Sequence, residues 1–246
     1  MRGYMSIGLN YLEKGQGEYL VLLHGNGQSY TYFQNQIEYF SRFYHVIAID
    51  TRGHGGSPRG TAPFSLKQFA EDLHSLILKK EIVKTNILGF SDGGNIAVYY
   101  ALEHPEYVSR LVLNSANLNP DGLKRRVLLP AGIGYYFFKA FSGFSDRIKK
   151  KCELLNLIVN EPDIDCEDLR LLKMPVLVIA GTYDMITRKH TELISRCIND
   201  SKLCFIRGNH FIAAKRPDEF NRIVHEFLSC LEKNSSNKSK STFLSA

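Results

Sequence analysis

Short apolar runs alternate along this chain with longer stretches of helical spacing. Residues 19–23, 46–49, 86–88, 111–113, 176–179 and 203–206 form the runs, and Gly, Asp or Pro punctuates the chain around them. Continuous runs of this length predict strands buried on both faces. Residues 66–80 instead place Leu66, Phe69, Leu73, Leu76 and Ile77 on one stripe, the mark of an amphipathic helix. Residues 95–103 and 219–231 read the same way. Strand–helix alternation predicts an α/β fold, with a mostly parallel sheet covered by helices on both faces. Residues 6–13 are expected to add an antiparallel edge strand, joined to the next by a turn around Gly15–Gly17.

The rhythm breaks once. Residues 119–173 offer no convincing strand but hold an aromatic patch, with Tyr135, Tyr136, Phe137, Phe138, Phe141 and Phe144, and a lysine run at Lys149, Lys150 and Lys151. A stretch this small suits a helical insertion between two strands better than a separate core. The aromatic patch fits an apolar substrate group under that insertion, and it fits an ordinary contact between insertion and core equally well. Residues 233–246, rich in Ser, Asn and Lys, predict a disordered polar tail whose sequons at Asn234 and Asn237 read as chance. Residues 1–232 are thus expected to form one domain.

Length and composition narrow the class. The chain has 246 residues, 44% hydrophobic and 23% charged, which suits one large globular domain and argues against wholesale disorder. A formal charge of +6 raises the question of nucleic acid or an anionic surface. The excess is scattered and no nucleic-acid motif accompanies it, so a solvated basic face is expected and no nucleic-acid partner. Five cysteines at irregular spacing, with no Cys-x-x-Cys pair, predict reduced thiols in a cytoplasmic protein. Residues 1–12 lack the continuous apolar run expected of a secretion signal, and no apolar stretch approaches the ~18 residues of a membrane span.

The chemistry concentrates at the ends of the predicted strands. Gly89-Phe90-Ser91-Asp92-Gly93-Gly94 matches Gly-x-Ser-x-Gly and lies between a strand and a helix. An abrupt strand-to-helix turn strains the serine backbone and leaves no room for side chains at the flanking glycines. A serine hydroxyl needs a base, and the base needs an orienting acid. His210 follows the strand at 203–206 and Asp184 follows the one at 176–179, so Ser91, Asp184 and His210 can converge at one edge of a parallel sheet. Asp121, after the strand at 111–113, is the second candidate acid. His45, His74, His104, His190 and His225 fall at helix or strand positions and read as structural. His24-Gly25-Asn26-Gly27 follows the strand at 19–23, where backbone amides of Asn26 and Asp92 can form an oxyanion hole. His24 itself reads as a structural hydrogen-bonder. Residues 50–57 carry Gly, His and Ser but lack a Gly-Lys-Ser/Thr ending, so they read as a supporting loop and Ser57 not as a nucleophile.

Taken together, these segments resemble the α/β-hydrolase superfamily over residues 6–231. The elbow and the short insertion are most similar to small bacterial carboxylesterase-type and valacyclovir hydrolase-like members. The resemblance implies an eight-stranded, mostly parallel sheet, a short helical lid at about 119–173, and no metal or organic cofactor. It implies a serine hydrolase acting on a small-molecule ester, thioester, lactone or activated amide. Carbon–carbon cleavage, a lyase on the same residues, and a non-catalytic ligand-binding member of the fold stay open. In valacyclovir hydrolase-like enzymes the acid after the nucleophile is implicated in binding a substrate amine, which gives Asp92 a second expected role beside a local hydrogen bond. Phe90, Tyr135 and Phe138 are the other expected substrate contacts. The expected assembly is a monomer or homodimer.

Overall fold

The computed structural model describes residues 7–230. The chain runs through β1 (Tyr11–Lys14), β2 (Tyr19–Leu23), α1 (Gln34–Phe40), β3 (His45–Ile49), α2 (Leu66–Lys79), β4 (Thr85–Phe90), α3 (Asp92–Glu103) and β5 (Val108–Asn114). Three helices follow before the next strand: α4 (Arg125–Ala140), α5 (Asp146–Asn160) and α6 (Cys166–Leu169). β6 (Val176–Gly181), α7 (Arg188–Cys197), β7 (Ser201–Ile206), α8 (Ile212–Lys215) and α9 (Pro217–Ser229) complete it.

The strands form one sheet in the order β1-β3-β2-β4-β5-β6-β7, parallel except for β1. The period-2 alternation of a strand divides its side chains between two cores. Val21, Leu23, Ile47, Ile49, Ile87, Leu111, Leu113, Val176 and Val178 pack on one face, with Phe69, Leu73, Leu76 and Ile77 of α2 over them. Leu20, Leu22, Val46, Ala48, Leu88, Val112, Leu177 and Ile179 pack on the other, under Ile37 of α1 and Phe220, Val224 and Leu228 of α9. Each central strand is buried on both sides, which is why it reads as an unbroken apolar run.

Four expectations change. The sheet has seven strands among the described residues, not eight. Its antiparallel edge strand begins at Tyr11 and leaves out residues 7–10, while Met1–Ser6 lie outside the described residues. β1 does not pair with β2, the next strand in sequence, but with β3, Tyr11 opposite Ile49. The turn between them passes so close to the backbone after α1 that a Cβ at Gly15 would lie 2.2 Å from the Tyr44 carbonyl oxygen. Finally, Cys166 and Cys197 are joined by a disulfide with Cα atoms 5.3 Å apart, so the reading of five reduced thiols is corrected for this pair. Irregular spacing hides the pair, because α6 and α7 bring it together across 31 residues. The polar tail expected at 233–246 lies outside the described residues.

Candidate active site

β4 passes into α3 through Ser91, whose backbone sits at φ 53° and ψ −121°. A non-glycine residue in this region is strained and stays there only where its surroundings compel it. Here the compulsion is close packing. A Cβ on Gly93 would lie 2.0 Å from the Leu23 carbonyl oxygen, and one on Gly89 would lie 2.2 Å from that of Gly93. The amides of Gly94 and Asn95 donate to the Ser91 carbonyl, at 2.8 and 3.1 Å, and start the helix. Asp92 is its first residue, so the Asp92 N–H is one of the donors a helix start leaves unpaired. Opposite, the Gly25–Gln28 turn after β2 is closed by Gln28 N–H donating to the Gly25 carbonyl at 3.2 Å. The Asn26 side chain donates to the Leu154 carbonyl of α5 at 2.8 Å, tying this turn to the inserted helices.

Asp184 and His210 meet beyond the ends of β6 and β7. His210 Nδ1 and Asp184 Oδ1 are 2.6 Å apart, and both side chains are buried. The carboxylate is held from every side. Oδ1 also accepts from the Ile186 amide at 3.0 Å, while Oδ2 accepts from Ser115 Oγ at 2.6 Å and the Gly181 amide at 3.2 Å. Burial pushes its pKa up, but the bonds from His210, Ser115 and Ile186 outweigh that and hold it below the usual carboxylate value. Asp184 is therefore anionic and fixes the imidazole orientation. Asp121, the second candidate acid, is exposed in a 3-10 turn and is not among the partners of His210.

Ser91 and His210 line one cavity of about 170 Å³. Among the described residues no direct hydrogen bond joins the two side chains. Such bonds often close only around substrate. Leu123, Val127, Leu157, Ile158, Met185 and Ile186 form the apolar wall, with Phe90 and Phe211 at the edge. Phe90 stacks on Tyr32 at 4.3 Å and lies 4.8 Å from the His210 ring. Tyr135 and Phe138 do not line this cavity. Tyr135 borders a separate groove with Arg59 and Phe64, and the Lys151 ammonium lies 5.1 Å from the Phe138 ring centroid. The expected substrate contact at these two residues is corrected: α4 reaches the cavity through Val127, near its start, and Tyr135 and Phe138 lie about two to three turns farther along it.

Two acids share the cavity. Asp92 is buried, and its Oδ2 has no hydrogen-bond partner among the described residues. Burial, reinforced by the nearby Glu161 carboxylate and partly offset by the Asn26 side chain, pushes its pKa up to about 7. Glu161 is raised as well, mainly by burial, while its Oε2 accepts from the Leu66 amide at 2.7 Å. Among the described residues no lysine or arginine lines the cavity beside them. Sequence reasoning missed Glu161, and it missed Ser115, whose strained backbone (φ 58°) at the end of β5 aims its hydroxyl at Asp184.

The neighbouring loops are supports. His24 Nδ1–H donates to the Gly25 carbonyl at 2.7 Å and Nε2 accepts from the Thr51 amide at 3.1 Å, while burial lowers its pKa to about 4. His24 is thus a neutral strut. Ser57 Oγ donates to the Asp50 carbonyl at 2.6 Å, and the Asp50 carboxylate gathers Asn10 Nδ2 and the amides of Tyr30 and Gly56. One grouping of metal-ligand type occurs among the described residues, Glu71, Glu103 and His104, beside the far end of α3 from Ser91.

Comparison with known proteins agrees with this architecture. Residues 18–132 match the sequence model described as alpha/beta hydrolase fold. Serine hydrolase BPHL of Mus musculus is 28% identical over 245 residues, covering 89% of this chain and 82% of that protein. 3-Oxoadipate enol-lactonase 2 of Acinetobacter baylyi is 27% identical over 250 residues, covering 89% and 92%. The structure of a meta-cleavage product hydrolase from Pseudomonas fluorescens IP01 superposes with a TM-score of 0.76 at 24% identity, covering 91% and 94%. The class defined by the parallel sheet and its elbow is the α/β-hydrolase fold. The chain has this fold, and the relatives named here are hydrolases.

Proposed function

We propose that the chain is a serine hydrolase that cleaves small carboxylic esters or lactones through an acyl-enzyme on Ser91. The observation that carries this reading is the buried Asp184–His210 pair, 2.6 Å apart, on the same small cavity as a serine held in a strained turn. In the proposed cycle His210 Nε2 takes the proton of Ser91 Oγ as that oxygen attacks the substrate carbonyl carbon. The amides of Asn26 and Asp92 receive the developing oxyanion, each such donor contributing about 3–4 kcal/mol to the transition state. Collapse expels the alkoxide, which leaves as alcohol with the proton from His210. Water then gives a proton to His210 and attacks the acyl carbon, and the acid departs as Ser91 regains its hydrogen. Asp184 stays ionised and stabilises the imidazolium.

A cavity of about 170 Å³ with an apolar wall supports a small acyl group. Lactones enter the proposal through the enol-lactonase relative. Within this class the Asp92 carboxyl group is assigned to a cationic amine on the substrate, since it is buried, its Oδ2 has no hydrogen-bond partner and no cation among the described residues lines its cavity. Exposure to a fluorophosphonate followed by intact mass tests the serine. One adduct on the native chain, absent from Ser91→Ala and strongly slowed in His210→Ala, is the expected result. An adduct that survives Ser91→Ala would end the proposal.

A further inference from the structure

Two features singled out in the sequence, the aromatic patch and the lysine run, fall in one structural unit, the α4–α5 hairpin. α4 carries Leu129, Ile133, Tyr136 and Phe137 at spacings that share one helix face, and all four are exposed, Ile133 at 74%. The opposite side packs inward: Tyr135 is buried, and a Cβ on Gly134 would lie 3.2 Å from Leu155 of α5. Phe141 and Phe144 extend the apolar face past the end of α4, with Phe144 79% exposed. Their rings form a continuous row, Phe137 to Phe141 at 5.2 Å and Phe141 to Phe144 at 6.0 Å. Contiguous exposed apolar surface of this kind marks an interaction site.

Charge identifies what it faces. Residues 124–151 hold eight basic side chains against one acid, Asp146, more than the +6 excess of the whole chain. Arg125 and Arg126 open α4, and Arg147, Lys149, Lys150 and Lys151 open α5; all are exposed. Among the described residues none of these six forms an ion pair with a carboxylate. The ammonium groups of Lys139 and Lys151 lie 5.2 and 5.1 Å from the ring centroids of Tyr135 and Phe138. An apolar helix face rimmed by free cations is the build of an element that lies in a membrane interface.

We propose that this face of the hairpin docks the protein on an anionic phospholipid surface. Leu129, Ile133 and the phenylalanines enter the acyl boundary, and the arginines and lysines meet headgroup phosphates and carboxylates. A second copy is a poor occupant, because a two-fold contact would set one basic rim against another. Nucleic acid would satisfy the charge and leave the aliphatic part of the face uncovered. Val127, Leu157 and Ile158 of the same hairpin line the Ser91 cavity, so the docked surface and the cavity wall are two sides of one element.

Co-sedimentation of the full chain with vesicles tests this without reference to catalysis. Vesicles of phosphatidylcholine with roughly one-third phosphatidylserine should retain the protein at least about tenfold better than phosphatidylcholine alone, and less well as salt rises. A Lys149→Glu/Lys150→Glu/Lys151→Glu variant should fall to the neutral-vesicle value. An Ile133→Ser/Phe137→Ser/Phe144→Ser variant should lose about tenfold at an unchanged melting temperature, since the positions are exposed. Retention that ignores lipid charge, or that survives in both variants, overturns the proposal. So does a dimer, seen by light scattering and lost in the second variant, that binds no vesicle.

Discussion

The Asp184 carboxylate is shared between two residues at its opposite oxygens: His210 Nδ1 lies 2.6 Å from one, and Ser115 Oγ donates to the other at 2.6 Å. The second contact fixes the rotation of the first. Asp184→Asn should therefore keep the fold and lower kcat by about 10³–10⁴-fold, the loss expected when the imidazole is held in the wrong tautomer. Ser115→Ala should cost far less, on the order of ten- to a hundredfold, since one hydrogen bond to the carboxylate is lost and the pair remains. It should also move the acid limb of the kcat/KM profile to higher pH, because one of the bonds that hold the Asp184 pKa down is gone while burial still pushes it up. An unmoved acid limb would assign Ser115 to packing alone.

Asp92 gives a prediction with a definite sign. Burial, then Glu161, raise its pKa from 3.8 to about 7, so folding opposes its ionisation. A carboxyl group with a raised folded pKa costs stability as pH climbs from its unfolded value through the folded one, here between about 4 and about 7. Asp92→Asn should therefore raise the melting temperature at pH 8 by several degrees and leave it nearly unchanged near pH 4. Preference for an amino-acid ester over its uncharged analogue should grow as pH rises through about 7 in the native protein, as the carboxylate forms. The Asp92→Asn protein should show no such rise. The same preference in both proteins would remove Asp92 from substrate binding.

What the sequence conveys and what it withholds differ for physical reasons. Runs such as Val176–Ile179 betray their strands because both faces of the sheet are covered. Ser91, Asp184 and His210 are legible because strand ends in a parallel sheet share an edge. β1 misleads, since a tight Gly-rich turn suggests hairpin pairing while the strand crosses to β3. α7 escapes notice because it buries His190 and Thr191 beside Ile194 and Cys197, which breaks the apolar period. Ser115 and Glu161 leave no signal at all. One is a small residue after an ordinary strand, and the other reaches Asp92 only because the end of α5 folds back over the elbow. The aromatic patch is visible but its place is not: Tyr135 and Phe138 lie along α4 past Val127, the residue of that helix that reaches the cavity.

The elbow glycines make a steric prediction. Gly93→Ala would drive a methyl carbon to 2.0 Å from the Leu23 carbonyl oxygen, with β2 on one side and α3 on the other. Neither backbone can yield without breaking the pairing of β2 with β4. The variant should fail to fold or lose several kcal/mol of stability, at the upper end for a point substitution. Gly132→Ala is the control: nothing lies within 4 Å of its Cβ, and it sits inside α4, where alanine is favoured by about 1 kcal/mol. Soluble expression and urea midpoints would separate the two. A Gly93→Ala protein of native stability would refute the close approach of β2 and α3.

The loop after β3 is anchored by a buried ion pair, and its two halves should respond differently to mutation. Arg52 is 1% exposed and binds Asp72 of α2 in a bidentate contact, Nε to Oδ2 at 2.7 Å and Nη2 to Oδ1 at 2.6 Å. Removing Asp72 strands a guanidinium in the core, so Asp72→Ala should cost about 3–5 kcal/mol in urea unfolding. Replacing both partners, as Arg52→Met with Asp72→Leu, removes the stranded charge and should recover most of that loss. Glu192→Ala, which breaks solvent-exposed pairs to Arg188 and Arg196 on α7, should stay within about 1 kcal/mol. The pair also bears on the site, because Thr51 beside Arg52 donates its amide to His24 under the Asn26 turn. The double variant should therefore recover stability more fully than turnover. Equal recovery of both would mean that the loop is positioned by its own Asp50 hydrogen bonds and not by Asp72.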